Sequence, residues 1–260
     1  MVYWERGDGP VLLLVHGMFG DHLDWEPVLE PLAIRHRVLA LDLQGFGESE
    51  KPDVDYSAEF FVAAMASFLD QVAVQRATLV GNSFGGILAT RFVLAHPDRV
   101  EGLILVSGAR EFSEAQRAVA RQRFTRENLL RLTPELNRLM FAPIFAKVGP
   151  AQERYLARQN AKLKGADYAE YASAMARAIE TAVTAYLPDR LGEIACRTLL
   201  LWGEQDTVIP QSEARKAIAR LKRGTLVLLP GCGHTPQLDD PEAFVRAIEG
   251  FLRQSEPLSR

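Results

Sequence analysis

The sequence predicts an α/β fold: a mostly parallel sheet of about seven strands flanked by helices, with a helical insertion late in the chain. Three observations carry this expectation. Short runs rich in Val and Leu recur along the chain, amphipathic segments fill the gaps between them, and one long stretch holds helical patterns alone. The 260 residues, 48% hydrophobic and 24% charged, have the makeup of a globular protein with enough chain for one large domain or two small ones. Thirty Lys and Arg against thirty-three Asp and Glu leave a net charge of −3, which gives no global reason to bind nucleic acid or an anionic membrane.

Taken in order, VYWERG at 2–7 reads as a short antiparallel edge strand. The apolar runs at 11–16, 37–42, 77–82, 102–107, 197–203 and 225–230 end near Gly, Asp or Pro, as strands buried on both faces of a parallel sheet do. After Ser57, an N-cap, the residues Phe61, Met65, Phe68, Leu69 and Val72 fall on one helical face. A second helix runs from Phe84 to Ala95 and stops before Pro97, which disfavours helical geometry at His96. Helices near 212–221 and 241–253 complete the alternation. From Ser113 to Leu187 the pattern is helical throughout, rich in Arg, Glu, Ala and Leu, and this stretch is expected to cap the carboxyl ends of the strands, where open parallel sheets bind ligands. The expected division is therefore a core of 1–112 and 188–260 with a helical cap of 113–187. The polar tail from Gln254 to Arg260 is expected to be mobile.

The apolar run VLLLV at 11–15 is far too short to span a bilayer, and the opening MVYWER lacks the basic, apolar and small-residue order of a secretory signal. Cys196 and Cys232 have the spacing of neither a zinc site nor a redox pair, so two free thiols are expected. These readings give a cytoplasmic, soluble protein, monomer or homodimer, with a small-molecule substrate, no nucleic acid and no membrane.

The chemistry concentrates at GNSFG, 81–85, which directly follows the strand ATLV and directly precedes a helix. At so tight a strand-to-helix turn a side chain at 81 or 85 clashes, and Ser83 is forced outward as an exposed nucleophile. The helix beginning at Phe84 turns its unpaired amides and dipole toward charge developing there. A serine hydroxyl needs a base, and of five histidines His234 is placed to supply it, in the glycine-rich loop PGCGHTP after the last strand. His22 and His36 sit in polar, surface-like stretches, His96 ends a helix and His16 lies in the first strand-to-loop turn. The group that fixes the imidazole tautomer is Asp206 in LLLWGEQDTVIP, with Glu204 a neighbouring competitor.

The order Ser83, Asp206, His234, together with HGMFGD at 16–21, DLQGFGES at 42–49, LLLWGEQDTVIP at 199–210 and GCGHTP at 231–236, resembles the α/β-hydrolase superfamily over nearly the whole chain. That resemblance implies an oxyanion hole made by the backbone amides of Met18 and Phe84, with Phe19 in place of Met18 if the loop register differs by one. It gives Asp42 and Ser49 the role of stabilising loops. Members often carry a further strand before the edge strand; only ten residues precede VLLLVHG here, so seven strands are expected. The implied reaction is acyl transfer through Ser83, which requires no metal and no organic cofactor.

Within the superfamily, Ser83 stands where dehalogenases and epoxide hydrolases have aspartate, HGMFG differs from the HGGPG of proline iminopeptidases, and Ile87 stands where menaquinone-pathway relatives often have arginine. GNSFGG resembles the serine motif of carbon–carbon hydrolases of ring-fission products, but Thr235 follows the histidine where those enzymes commonly have tryptophan. A carboxylesterase for small to medium, largely apolar acyl groups is the first expectation. A carbon–carbon hydrolase is the second, and a ligand receptor on the same fold the third. Phe124, Leu136, Leu139, Met140, Phe141, Phe145, Tyr155 and Tyr168 supply apolar cap surface, and Phe19, Met140 and Phe141 are the candidates for the acyl pocket. Between 110 and 190 there are fourteen Lys and Arg against nine Asp and Glu, a local +5 over a remainder of −8. That asymmetry steers anionic substrates if the charges are free, and is only a set of solvated faces if they are paired.

Overall fold

The computed structural model describes residues 1–253. Its seven strands, β1 (Tyr3–Arg6), β2 (Val11–Val15), β3 (Arg37–Leu41), β4 (Ala77–Asn82), β5 (Val100–Val106), β6 (Arg197–Gly203) and β7 (Gly224–Leu229), form one sheet in the order β1-β3-β2-β4-β5-β6-β7. Only β1 runs antiparallel, paired to β3 from Tyr3 opposite Leu41 to Arg6 opposite Val38. The expected tail, 254–260, lies outside the described residues.

The strands read as continuous apolar runs because both faces are covered, and the period of two sorts their side chains into two layers. Leu13, Val15, Leu39, Leu41, Leu79, Leu103, Leu105, Leu200 and Trp202 face one side. There they pack on α2 (Ala58–Gln71), α3 (Phe84–Ala95), α9 (Gln211–Ile218) and part of the insertion. Leu12, Leu14, Val38, Ala40, Val80, Ile104, Val106, Leu199 and Leu201 face the other, against α1 (Glu26–Ala33) and α11 (Pro241–Arg253). Burying one such leucine contributes on the order of 2 kcal/mol. Ser57 caps α2 as expected, its hydroxyl accepting the Phe60 amide at 3.2 Å.

Two helices were not legible from the pattern. α1 carries Pro27 and Pro31 in EPVLEPLA, and proline disfavours a helix interior. Pro27 falls in the first turn, where its missing N–H costs nothing, and Val28, Leu29 and Leu32 bury the helix on the sheet strongly enough to carry Pro31. The other is the single turn α10 (Pro236–Asp239) after the histidine loop.

Between β5 and β6, the insertion consists of α4 (Glu114–Arg123), α5 (Arg126–Leu130), α6 (Pro134–Phe141), α7 (Pro150–Lys162) and α8 (Tyr168–Thr184). Its starts are written locally. Ser113 and Gln116 exchange side-chain and backbone hydrogen bonds in a capping box, and Thr125 and Thr133 cap the next two helices. Among the described residues no helix is long and apolar enough to cross a membrane.

Candidate active site

At the end of β4 the chain reverses into α3 through Ser83, which is held at φ 52° and ψ −115°, a left-handed setting that costs a non-glycine residue about 1–3 kcal/mol. What over-determines it is the crowding around it. A methyl group on Gly85 would run into the carbonyls of Val15 and His16, and one on Gly81 into the carbonyl of Gly85. Those two positions let β2, β4 and α3 close on each other, and the serine is the residue turned out between them.

The acid and the histidine come from the next loops along the sheet edge. His234 Nδ1 lies 2.9 Å from Asp206 Oδ2, and both residues are buried. Asp206 Oδ1 accepts the amides of Val208 and Ile209 at 2.9 and 2.8 Å, so the carboxylate is fixed on both oxygens. Glu204, the rival acid, is exposed. A carboxylate accepting a hydrogen bond from Nδ1–H keeps the proton on that nitrogen and leaves the lone pair on Nε2. Asn82, next to Ser83 in the chain, donates to the carbonyls of both Val106 and His234, at 3.0 and 3.1 Å, tying the serine turn to the histidine loop.

The loop after β2 passes beside Ser83: a methyl on Gly17 would come within 3.3 Å of the serine Cβ. Among the described residues neither the Met18 nor the Phe84 amide has an acceptor. His16 braces this loop from below, with Nε2 accepting the Leu43 amide at 3.1 Å and Nδ1 donating to the Gly17 carbonyl at 2.8 Å. Burial holds its pKa below the ordinary 6.5, and the ring is a neutral tie between two loops.

His22 and His36, expected at the surface, are both buried. His36 pairs with Glu249 at 3.0 Å, and His22 with Asp42 at 2.9 Å while its ring packs at a tilt against Trp4. The polar stretches around them concealed carboxylate partners far away in sequence. Asp42 also accepts the amides of His22 and Glu48, both at 2.7 Å, and Ser49 donates to the Asp42 carbonyl at 2.7 Å, so both residues hold loops together.

Several site supports left no sequence signal, because they reach in from the insertion. The His234 amide donates to Ile144 O at 2.8 Å, and Asp239 Oδ2 accepts the amides of Gly233 and Ala146 at 2.7 and 3.2 Å. Burial raises the Asp239 carboxyl above its usual range. Phe19, Met140 and Phe141 do come together, with the Phe19 and Phe141 rings 5.7 Å apart, but the void that they line with Leu129, Leu132 and Tyr168 has room for only about 10 Å³. That is about one water molecule. Cys232, behind the histidine loop, is buried and its thiol is pushed up to about 12, so it stays protonated and unreactive. Among the described residues no three His, Cys, Asp or Glu side chains gather as a metal-binding group.

Comparison with known proteins agrees with this architecture. Residues 12–247 match the alpha/beta hydrolase family. The chain is 27% identical to the 2-hydroxy-6-oxo-6-(2'-aminophenyl)hexa-2,4-dienoic acid hydrolase of Metapseudomonas resinovorans, covering 99% of this chain and 89% of that protein. It is 25% identical to the pimeloyl-[acyl-carrier protein] methyl ester esterase of Aliivibrio salmonicida, covering 98% and 97%. A thermophilic esterase from Thermogutta terrifontis superposes with a TM-score of 0.84 at 26% identity, covering 98% of this chain and 94% of that one. With a match running through nearly every element of the sheet and both of its faces, this chain belongs to the alpha/beta hydrolase family.

Proposed function

We propose that the protein is a serine hydrolase that cleaves carboxylic esters of small to medium, largely apolar acyl groups. The observation that carries the reading is the strained Ser83 turn, tied through Asn82 to the loop of a histidine whose Nδ1 is committed to a buried carboxylate, which leaves Nε2 to act as a base. His234 takes the Ser83 proton as Oγ attacks the ester carbonyl, and Asp206 stabilises the resulting imidazolium. The Met18 and Phe84 amides hold the oxyanion. His234 then gives its proton to the departing alcohol, and water, activated by the same base, releases the acid from Ser83.

Apolar preference is supported by the face with which the insertion meets the loop after β2, where Phe124 and Phe141 pack on Phe19. Preference for neutral esters is supported by the pairing of Arg158 and Lys162, the insertion's cations nearest that loop, with Asp21 and Asp24. Carbon–carbon hydrolysis is the second reading. It is supported by the Metapseudomonas relative, whose substrate is a dienoic acid, and by GNSFGG at 81–86. A p-nitrophenyl ester series from two to twelve acyl carbons, run beside a chromophoric ring-fission dienoate, separates the two. We expect multiple turnovers on the esters, with Ser83→Ala losing at least about 10⁴-fold in kcat. Turnover of the dienoate alone assigns the second reading, and no turnover of either, a receptor.

A further inference from the structure

The carbonyl oxygen of Phe19 accepts three hydrogen bonds, and all three donors belong to the helical insertion: Lys162 Nζ at 2.8 Å, Gln159 Nε2 at 3.1 Å and Tyr171 Oη at 3.3 Å. A carbonyl has two lone pairs, so this oxygen is saturated, and one of its donors is an ammonium. The ring of the same residue is gripped as well, against Phe124 after α4 and Phe141 of α6.

Phe19 is also one of few non-glycine residues with positive φ, at 64°. The Gly20 amide donates to Gly17 O at 3.1 Å, closing a four-residue turn, and Met18 is outside the left-handed region. Positive φ at the third position alone makes this a type II turn, which normally places glycine there. Relaxing Phe19 to negative φ converts it to type I and flips the Met18–Phe19 peptide. This turn begins at Gly17, where an added methyl would come within 3.3 Å of the Ser83 Cβ, so its form sets where the loop's amides point beside the serine.

We propose that Lys162, Gln159 and Tyr171 are positioning residues for the oxyanion loop. By holding the Phe19 carbonyl they keep the turn in its type II form and aim its amides at the substrate oxygen bound at Ser83. The inference rests on the hydrolase reading given above. Lys162 is itself braced by Asp21 Oδ2 at 2.8 Å, while Arg158, one turn earlier on α7, pairs with both Asp21 and Asp24. Burial works against the Asp21 charge, but Lys162 and Arg158 overcome it and hold this carboxyl down at about 2. Docking of the insertion and assembly of the oxyanion site are on this view one event.

The experiment compares wild type with Lys162→Met, Gln159→Leu and Tyr171→Phe, and with Lys162→Arg as the conservative rescue. The latter two of the first set leave Asp21 and its cations intact. Three quantities are read: kcat and KM on a p-nitrophenyl ester, affinity for an aryl trifluoromethyl ketone, and affinity for the intact ester in a Ser83→Ala background. Ser83 Oγ adds to the ketone carbonyl with its proton passing to His234, so that affinity reports the oxyanion site. Lys162→Met should lower kcat by about 10- to 100-fold and weaken the ketone by the same factor, with KM and ester binding within about twofold; Lys162→Arg should recover most of the loss. The two neutral variants should show the same split on a smaller scale. Unchanged ketone affinity in all three, or a parallel loss of ester binding, overturns the inference while leaving the hydrolase reading intact. Absence of Ser83-dependent turnover in wild type overturns the reading, and the inference with it.

Discussion

At the scale of single residues, the acid–histidine pair gives the sharpest prediction. Asp206→Asn keeps an oxygen for the Val208 and Ile209 amides but turns an NH₂ group toward His234 Nδ1, which forces the proton onto Nε2 and removes the base. Esterase kcat should fall by roughly 10⁴-fold with little change in melting temperature, whereas Glu204→Gln should leave kcat within about twofold. Equal losses would assign Glu204 a share of the role. Ser83 and His234 were legible in sequence because each sits in a loop whose glycines require a particular backbone path. Asp206 and Glu204 share one turn and differ only in burial, which no local pattern encodes. Lys162, Gln159 and Tyr171 were illegible for a plainer reason: their shared partner is a backbone carbonyl more than a hundred residues away.

At the scale of elements, the strands and long helices follow from composition because sheet burial on both faces demands unbroken apolar runs. Loops bound by buried polar pairs do not announce themselves. The His22–Asp42 pair joins the loop after β2 to the loop after β3. Burial opposes a charge on His22, but the hydrogen bond to Asp42 and its negative charge outweigh it and raise the imidazole pKa above the ordinary 6.5. A histidine raised in the folded state binds its proton more tightly there than in the unfolded chain. Its contribution is complete below pH 6.5 and is lost as pH rises through the folded value. His16 acts in the opposite window, since its lowered pKa costs stability only as pH falls below 6.5. Wild-type melting temperature should therefore decline as pH is raised above 6.5, and His22→Asn, a neutral donor of similar reach, should flatten that decline. A parallel decline in the variant would place its cause elsewhere.

At the scale of the whole molecule, the charge asymmetry between insertion and core resolves into local pairing. Arg121 meets Glu114 and Glu180, Arg131 meets Glu127, Arg138 meets Glu153, and Arg177 reaches across to Asp53 of the core. Pairs inside the insertion leave its net +5 unchanged, but Arg177 meets Asp53 and Arg158 and Lys162 meet Asp21 and Asp24, core carboxylates that weaken the field an incoming anion would feel beside the loop after β2. Raising ionic strength from about 20 to 500 mM should change kcat/KM for a carboxylate-bearing ester and for a neutral ester of the same length alike, within about twofold. A steep loss for the anionic ester alone would restore the steering idea.

The hydrogen bond from the His234 amide to Ile144 O, with Asp239 latching Gly233 and Ala146 together, bears on how such a protein could be re-engineered. In many layered folds an inserted subdomain is an exchangeable accessory, and its replacement retunes what the scaffold accepts. Here the segment around Ile144 is part of the mount for His234, the base of the proposed reaction, so a chimera that imports a foreign insertion must bring residues 231–239 with it or redesign them to suit. The segment around Ile144 and the last loop of the sheet form one heritable unit, although more than eighty residues separate them along the chain.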